Sequence, residues 1–424
     1  MKKVVKFGGS SLASAEQFKK VGNIIRKEES RRYVIPSAPG KRTPDDTKVT
    51  DMLYSCYGQA ILGEDAEKDF EEQLEAIKER YNSIISGLDL ELSLDEEFKT
   101  IRTNFSKKIG RDYAASRGEY LNGIIMAAYL GYEFIDAAEV IVFDENGNFD
   151  GDKTHEILSA RLENTERAVI PGFYGAKPDG SIQTFSRGGS DITGSIVAKA
   201  VHADMYENWT DVSGFLIADP RIIKNPKPID VITYRELREL SYMGATVLHE
   251  DAIFPVRAAG IPVNIKNTNC PKDRGTMIVS ETAEPCEHII TGIAGKKGMS
   301  VINIEKDKMN SEVGFGRNVL RALEKSNVSF EHMPSGVDTM SVVIQTDKLA
   351  GKETTILDEI RSRVHPDQLY IESNLALIAV VGRGMKSARG TAAILFTALA
   401  EARVNIKMID QGSSELNIII GVAE

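Results

Sequence analysis

An arginine, two glycines, a serine and an aspartate run directly into an apolar-periodic stretch at residues 186–201, SRGGSDITGSIVAKAV. Ser190 is placed to cap a helix there, with Ile192, Ile196, Val197 and Ala200 as its buried stripe. Gly188 and Gly189 would then present free backbone N–H groups at the helix entrance, a ready seat for an anion. Arg187 can fork onto a carboxylate, which a lysine does less specifically. Asp191 has a plain explanation as an acid stabilising a helix start. Arginine, paired glycines and acid together are richer than capping needs, and they suit a site that holds anions.

A second stretch, VVKFGGSS at 4–11, puts Lys6 at the end of a strand and Gly8 and Gly9 at the turn into a helix. Glycines let the backbone approach an anion closely, and a lysine there can neutralise phosphate charge as it builds up. The stretch is neither GxxxxGK(S/T) nor GxGxxG, so a plain strand–helix turn fits it as well as a phosphate site. In NWTDVSGFLIADPR (208–221), Thr210 and Asp211 suit a base or ribose and Arg221 a phosphate, while Asx and Ser/Thr turns explain the same residues. Glu119 begins an otherwise apolar helix, a position usual for a capping or solvated acid. The six histidines cluster nowhere, and HED at 249–251 lacks the second histidine of a metalloprotease helix. No dedicated metal site is expected; Mg²⁺ fits a phosphoryl-transfer site, held mostly by the nucleotide's own phosphates.

The elements that must position these residues alternate. KKVVKF reads as a strand, and the next segment carries Phe18, Val21, Ile24 and Ile25 at helical spacing. RRYVIPSAPG is a strand and turn, residues 64–130 read as helical, and strands recur in EFIDAAEVIVF, RAVIPGFYG and HADMYENWTDV. Alternation with glycines at strand ends predicts an α/β domain with a largely parallel sheet, whose ligands sit at the carboxyl ends of the strands.

The length of 424 residues allows two to four domains, at roughly 100–200 residues each. A net charge of −10 without a basic stripe argues against a nucleic-acid partner. Cys56, Cys270 and Cys286 form no framework and read as thiols of a reducing compartment. The N-terminus lacks a signal-peptide pattern and no apolar run reaches about 18 residues, so a cytoplasmic protein is expected.

After the polar, proline-bearing SETAEPCEH (280–288) the chain repeats itself. VLRALEKSNVSFEHMPSGVDTMSVVI from Val319 aligns without a gap on LFTALAEARVNIKMIDQGSSELNIII from Leu395, an offset of 395 − 319 = 76. Each copy reads strand, helix, strand, turn, strand. The first adds a helix and a strand, giving βαββαβ, and the second stops at Glu424 before its second helix. The expected division is 1–285 and 286–424, with copies at about 305–373 and 374–424. A strand from about 289–304 is expected to complete the second copy.

In order, KFGGSS, SAPG…KVTDML, SRGE, PGFYG, RGGSD, WTDVSG, ADPR and GATVLHEDAIFPV resemble the aspartate kinases, and the repeat resembles their tandem ACT domains. The resemblance covers essentially the whole chain. It implies an amino-acid-kinase-type three-layer αβα sandwich followed by two α+β ferredoxin-like ACT domains. It implies transfer of the ATP γ-phosphate to the side-chain carboxylate of L-aspartate, giving 4-phospho-L-aspartate, the first step towards lysine, threonine and methionine. By matching motif, Lys6 would stabilise the transferring phosphoryl group and Asp191 organise the reacting centre. Arg187, Gly188, Gly189, Ser190, Glu119 and Thr50 would hold the substrate, Arg187 taking its carboxylate and Glu119 its amino group. ATP, with Mg²⁺, would meet Lys6, Phe7, Gly8, Gly9, Ser10, Thr210, Asp211, Leu216, Arg221 and Thr246.

Leu216 stands where the family often has a tyrosine, Thr246 where a lysine is common, and GKRTPDDTK (40–48) is longer than the usual turn. Met309, Phe315, Phe330, Glu331 and Ser335 match effector positions, with lysine favoured over threonine as the inhibitor. The resemblance also implies a homodimer or homotetramer joined through the ACT domains. A kinase for glutamate and a non-catalytic amino-acid sensor are the competing readings.

Overall fold

A computed structural model describes residues 1–186, 188–244, 248, 250–282 and 288–424. The chain divides into two compact units. The first comprises 1–215, 228–234 and 247–282; the second comprises 216–227, 235–246 and 283–424.

In the first unit β1 (Lys3–Phe7) is buried at all five positions, as a strand covered on both faces must be. A four-residue 3₁₀ turn, Gly9–Leu12, separates it from α1 (Ala15–Arg26). The paired glycines therefore do not open an α-helix. Ser14 does, accepting the Gln17 N–H, and α1 buries Phe18, Val21, Ile24 and Ile25 as their spacing predicts. β2 (Arg31–Pro36) leads to four helices, α2 (Val49–Leu62), α3 (Glu67–Gly87), α4 (Asp95–Ser106) and α5 (Arg111–Leu130). Glu119 lies at the middle of α5 rather than at a helix start, because the chain turns into the helix already at Gly110, with φ 134°.

The strand expected through residue 143 is only β3 (Glu133–Phe134), followed by α6 (Ala137–Val140). Asp136 accepts the Ala138 N–H and so starts a helical turn where apolar composition suggests a strand. Then come α7 (Gly151–Leu162), β4 (Ala168–Val169), the hairpin β5 (Tyr174–Ala176) and β6 (Ile182–Thr184), α8 (Gly189–Ala200) and β7 (Met205–Thr210). β8 (Val231–Thr233), α9 (Tyr234–Tyr242), α10 (Phe254–Ala258), β9 (Val263–Asn267) and β10 (Thr276–Val279) follow.

The main sheet has the order β3-β4-β2-β1-β7-β9-β10-β8, parallel except between β9 and β10. Alternation along β1 sends Val5 and Phe7 into the core built with α1 to α5, and Lys6 to the opposite face, where it meets α8. Helices thus cover both faces, the αβα layering expected. Among the described residues no helix is long and apolar enough to cross a membrane.

The second unit is an antiparallel sheet built from β11 (Gly292–Glu305), β12 (Thr339–Gln345), β13 (Gln368–Val381), β14 (Ile406–Asp410) and β15 (Asn417–Ala423). Its order is β12-β11-β13-β15-β14. Its helices are α11 (Phe315–Lys325), α12 (Thr346–Leu349), α13 (Glu353–Val364) and α14 (Thr391–Glu401). β11 and β13 serve both copies of the repeat. Residues 299–305 of β11 pair with β12 and with the first half of β13, while 292–296 pair with Val381–Leu377, which in turn pair with β15. The register shifts between Lys296 and Val301, around Gly298 at φ 75°.

The strand expected after the helix of the first copy is reduced to bridges from His332 and Ser335 to β12, next to Pro334, which has no N–H to pair. Two segments from before residue 285 also belong to the second unit. Ile293 donates to the Ile217 carbonyl at 2.7 Å. In α9 the buried Glu236 accepts the Arg383 N–H and guanidinium, each at 2.9 Å.

Candidate active site

The carboxyl ends of β1, β2 and β7 lie side by side and carry the turns 8–9, 37–40 and 210–211. Lys6 is 8% exposed, and its Nζ lies 2.6 Å from Asp191 Oδ1 in the first turn of α8. Asn208, the register partner of Lys6 on β7, donates its Nδ2 to the same Oδ1 at 2.8 Å.

The turns pack backbone to backbone. A Cβ on Gly9 would lie 2.8 Å from the Ala38 carbonyl oxygen, and one on Gly40 2.6 Å from the Gly9 carbonyl carbon. Glycine is required at both positions for that approach. Arg80 of α3 fixes the second turn, donating to the Gly40 carbonyl at 2.6 Å and to Asp46 at 2.7 Å. Arg42 beside Asp46, with Arg80, holds the Asp46 carboxyl far below the ordinary carboxylate range.

Glu119 is 6% exposed and its Oε2 has no hydrogen-bond partner among the described residues. Burial pushes its carboxyl up to about 8, against the opposing pull of the Ala38 N–H and the Lys6 ammonium. An acid so placed is neutral until a cation arrives to pair with it. Thr50, in the first turn of α2, has its hydroxyl 3.8 Å from where a side chain on Gly118 would begin.

At the α8 entrance the cap is Gly188 rather than Ser190. Gly188 takes φ 58°, a left-handed conformation open to glycine, so the helix begins one residue before Ser190. A Cβ on Gly189 would lie 2.4 Å from the Phe173 ring, and Ser190 is buried against Gly172. Of the stripe expected on α8, Ile196, Val197 and Ala200 are buried and Ile192 is half-buried. Arg187 and Thr246 lie outside the described residues.

The remaining nucleotide positions are dispersed. Ser10 is exposed in the 3₁₀ turn. Phe7 is fully buried and stacked on Trp209, so its backbone alone can face a ligand. Thr210 donates to the exposed Asp211 at 3.1 Å. Leu216 and Arg221 belong to a segment of the second unit, where Arg221 is paired with Asp219 at 2.6 Å.

The effector positions separate as well. Met309 and Phe315 sit in the core of the first copy, at 4% and 3% exposure, while Phe330 and Ser335 are exposed. Gln345 donates to Glu331 at 2.6 Å, and Lys296 and Lys348 each lie 3.8 Å from its carboxylate. Burial would raise the Glu331 carboxyl, but hydrogen bonds from Tyr242 and Gln345 and the two lysines hold it below its ordinary value.

Asn208 and Arg80 were not legible as site residues. Asn208 reads as one polar residue in a strand, and Arg80 as one charge on a helix rich in charge. Their partners are revealed by strand register and by packing.

The amino acid kinase family model matches residues 1–267, and an ACT domain model matches 378–424. Aspartokinase 3 of Bacillus subtilis (strain 168) is 41% identical over 437 aligned residues, spanning all of this chain and 95% of that protein. The crystal structure of Clostridium acetobutylicum aspartate kinase matches at 54% identity with a TM-score of 0.88, covering 100% of this chain and 96% of that one. E. coli aspartokinase III, crystallised with aspartate and ADP, shares the fold at 24% identity and a TM-score of 0.75, covering 100% of this chain and 96% of that one. Full-length likeness of this order makes this chain a member of the aspartokinases within the amino acid kinase family.

Proposed function

We propose that this chain transfers the γ-phosphoryl group of ATP to the side-chain carboxylate of L-aspartate, releasing ADP and 4-phospho-L-aspartate. The Lys6–Asp191 pair at the carboxyl ends of β1 and β7, beside the buried Glu119, carries this reading. The nucleophile is a carboxylate already ionised at neutral pH, so no general base is required. The work left to the protein is to hold two anions together and stabilise charge on the moving phosphoryl group. Lys6 supplies that charge, with Gly8, Gly9 and Ser10 lining the path and Asp191 orienting the lysine.

Arg187 clamps a substrate carboxylate. Glu119 receives the substrate ammonium and gives up its proton as it does so, because its carboxyl titrates near 8 before the cation arrives. Thr50 adds a polar contact, and Thr210 and Asp211 serve the nucleotide. Mg²⁺ would arrive on the phosphates of ATP, where it would spread their charge.

Residues 1–285 form the catalytic part and 286–424 the regulatory ACT region of a cytoplasmic homo-oligomer. An end-product amino acid acts there, lysine before threonine. The test is ADP release with Mg-ATP and L-aspartate, compared with L-glutamate, with and without lysine and threonine. Turnover with aspartate alone, inhibited by one end product, is expected. Turnover with glutamate would reassign the substrate, and ATP binding without turnover would make the chain a sensor.

A further inference from the structure

An amide on a central parallel strand is costly unless its hydrogen-bonding groups are used, because such strands are buried on both faces. Asn208 is 3% exposed on β7, between β1 and β9. Its Nδ2 reaches Asp191 Oδ1 at 2.8 Å, and Lys6 Nζ reaches that same oxygen at 2.6 Å. Lys6 and Asn208 are register partners, so their side chains leave neighbouring strands on one face and close on one atom.

Two residues earlier on the same face, the Tyr206 hydroxyl donates to the Asp191 backbone carbonyl at 3.2 Å. Gly194 makes room for it, since a Cβ there would lie 2.5 Å from that hydroxyl. β7 thus grips Asp191 twice, once by its backbone and once by its carboxylate.

We infer that Asn208 is a positioning residue of the phosphoryl-transfer centre, holding the Asp191 carboxylate in the one orientation that keeps the Lys6 ammonium aimed at the transferring group. This rests on the roles proposed above for Lys6 and Asp191. A carboxylate released from the amide can rotate about its Cβ–Cγ bond, and the lysine tethered to it then samples positions off the reaction path. The loss falls on kcat, since Asn208 acts through the Asp191 carboxylate, to which its amide is bonded.

The test uses the full chain with Asn208→Leu, Asn208→Asp and, as a control on the underlying reading, Asp191→Asn. Asn208→Leu is expected to lower kcat about tenfold, with the KM for ATP and for aspartate within about twofold of the parent, the pattern of an interaction felt in the transition state. Asn208→Asp keeps the shape but sets a second carboxyl against Asp191, with Lys6 the cation facing both. Two carboxyls this close share a proton more readily as pH falls, which restores an O–H donor in place of the amide. Its kcat relative to the parent should therefore recover towards acid pH, whereas that of Asn208→Leu should stay at a constant fraction.

A role in packing alone predicts lowered melting temperatures, shifted KM values and parallel pH profiles for both variants, and that result overturns the inference. Full kcat in Asn208→Leu with low kcat in Asp191→Asn also overturns it while leaving the site reading intact. Full kcat in Asp191→Asn removes the site reading itself. If Asn208→Leu does not fold, the pH profile of the isosteric Asn208→Asp decides.

Discussion

Lys6, Glu119 and Asp191 come from three distant parts of the chain, and the Lys6 and Asp191 charges end 2.6 Å apart. Met309, Phe315, Phe330, Glu331 and Ser335 come from one short stretch, yet the fold distributes them between core and surface. The difference lies in the two sheets. Parallel strands bring their carboxyl ends, and the starts of the helices between them, to one edge, so Lys6 of β1 and Asp191 in the first turn of α8 meet whatever their separation in sequence. Around an antiparallel sheet, short helices and turns send neighbouring residues to opposite sides.

A second contrast lies within the regulatory unit. α11 buries Phe315, Val319, Ala322 and Leu323, with α13 beside it. The matching helix α14 buries Thr391, while its Leu395, Phe396 and Leu399 are only partly covered and Ile394 is 70% exposed.

The contrast between the units is broken most directly at Lys6. Lys6→Ala should lower kcat on the order of 10²-fold or more, the loss expected when a transition-state charge is removed. Met309→Ala should instead lower the melting temperature and leave uninhibited kcat in place. Unchanged turnover in Lys6→Ala would remove the lysine from the mechanism.

Next in size is the contrast between the copies, tested by one substitution at equivalent repeat positions, Leu323 and Leu399 (399 − 323 = 76). Leu323→Ala should cost about 3 kcal/mol of unfolding free energy and Leu399→Ala about 1 kcal/mol, because the second leaf of the core is half open. Equal losses in denaturant titrations would mean that α14 is covered in solution.

The smallest effect concerns Glu119. Its carboxyl titrates near 4.5 as an ordinary glutamate and near 8 in the fold, so the folded chain holds an extra proton between those values. Its contribution to stability is full below about pH 4.5 and is lost as pH rises through 8. Glu119→Gln should lack this slope, gaining on the parent in melting temperature between pH 5 and pH 8.5. It should also raise the KM for aspartate about tenfold, as for loss of a charged hydrogen bond. Matching pH slopes in parent and variant would place the perturbed titration elsewhere.

Much of this was legible in the chain. β1, α1, β2 and β7 follow from apolar runs and helical spacing, and the strand–turn–helix order places the glycine turns at strand ends. The misreadings are local competitions. Asp136 starts a helical turn in an apolar run, Gly188 takes the cap from Ser190, and Gly110 opens α5 well before Glu119.

What the sequence determined by itself is the alternation of elements, the glycine-bearing turns at strand ends, and a repeat at an offset of 76. Only the tertiary structure decided that Asn208 stands beside Lys6, that Arg80 closes the 37–40 turn, and that β11 and β13 are each shared by both copies. Backbone preference and periodicity act over a few residues, and a sequence displays them directly. Strand order and register are set by the burial of the whole chain at once, and they decide which charges meet.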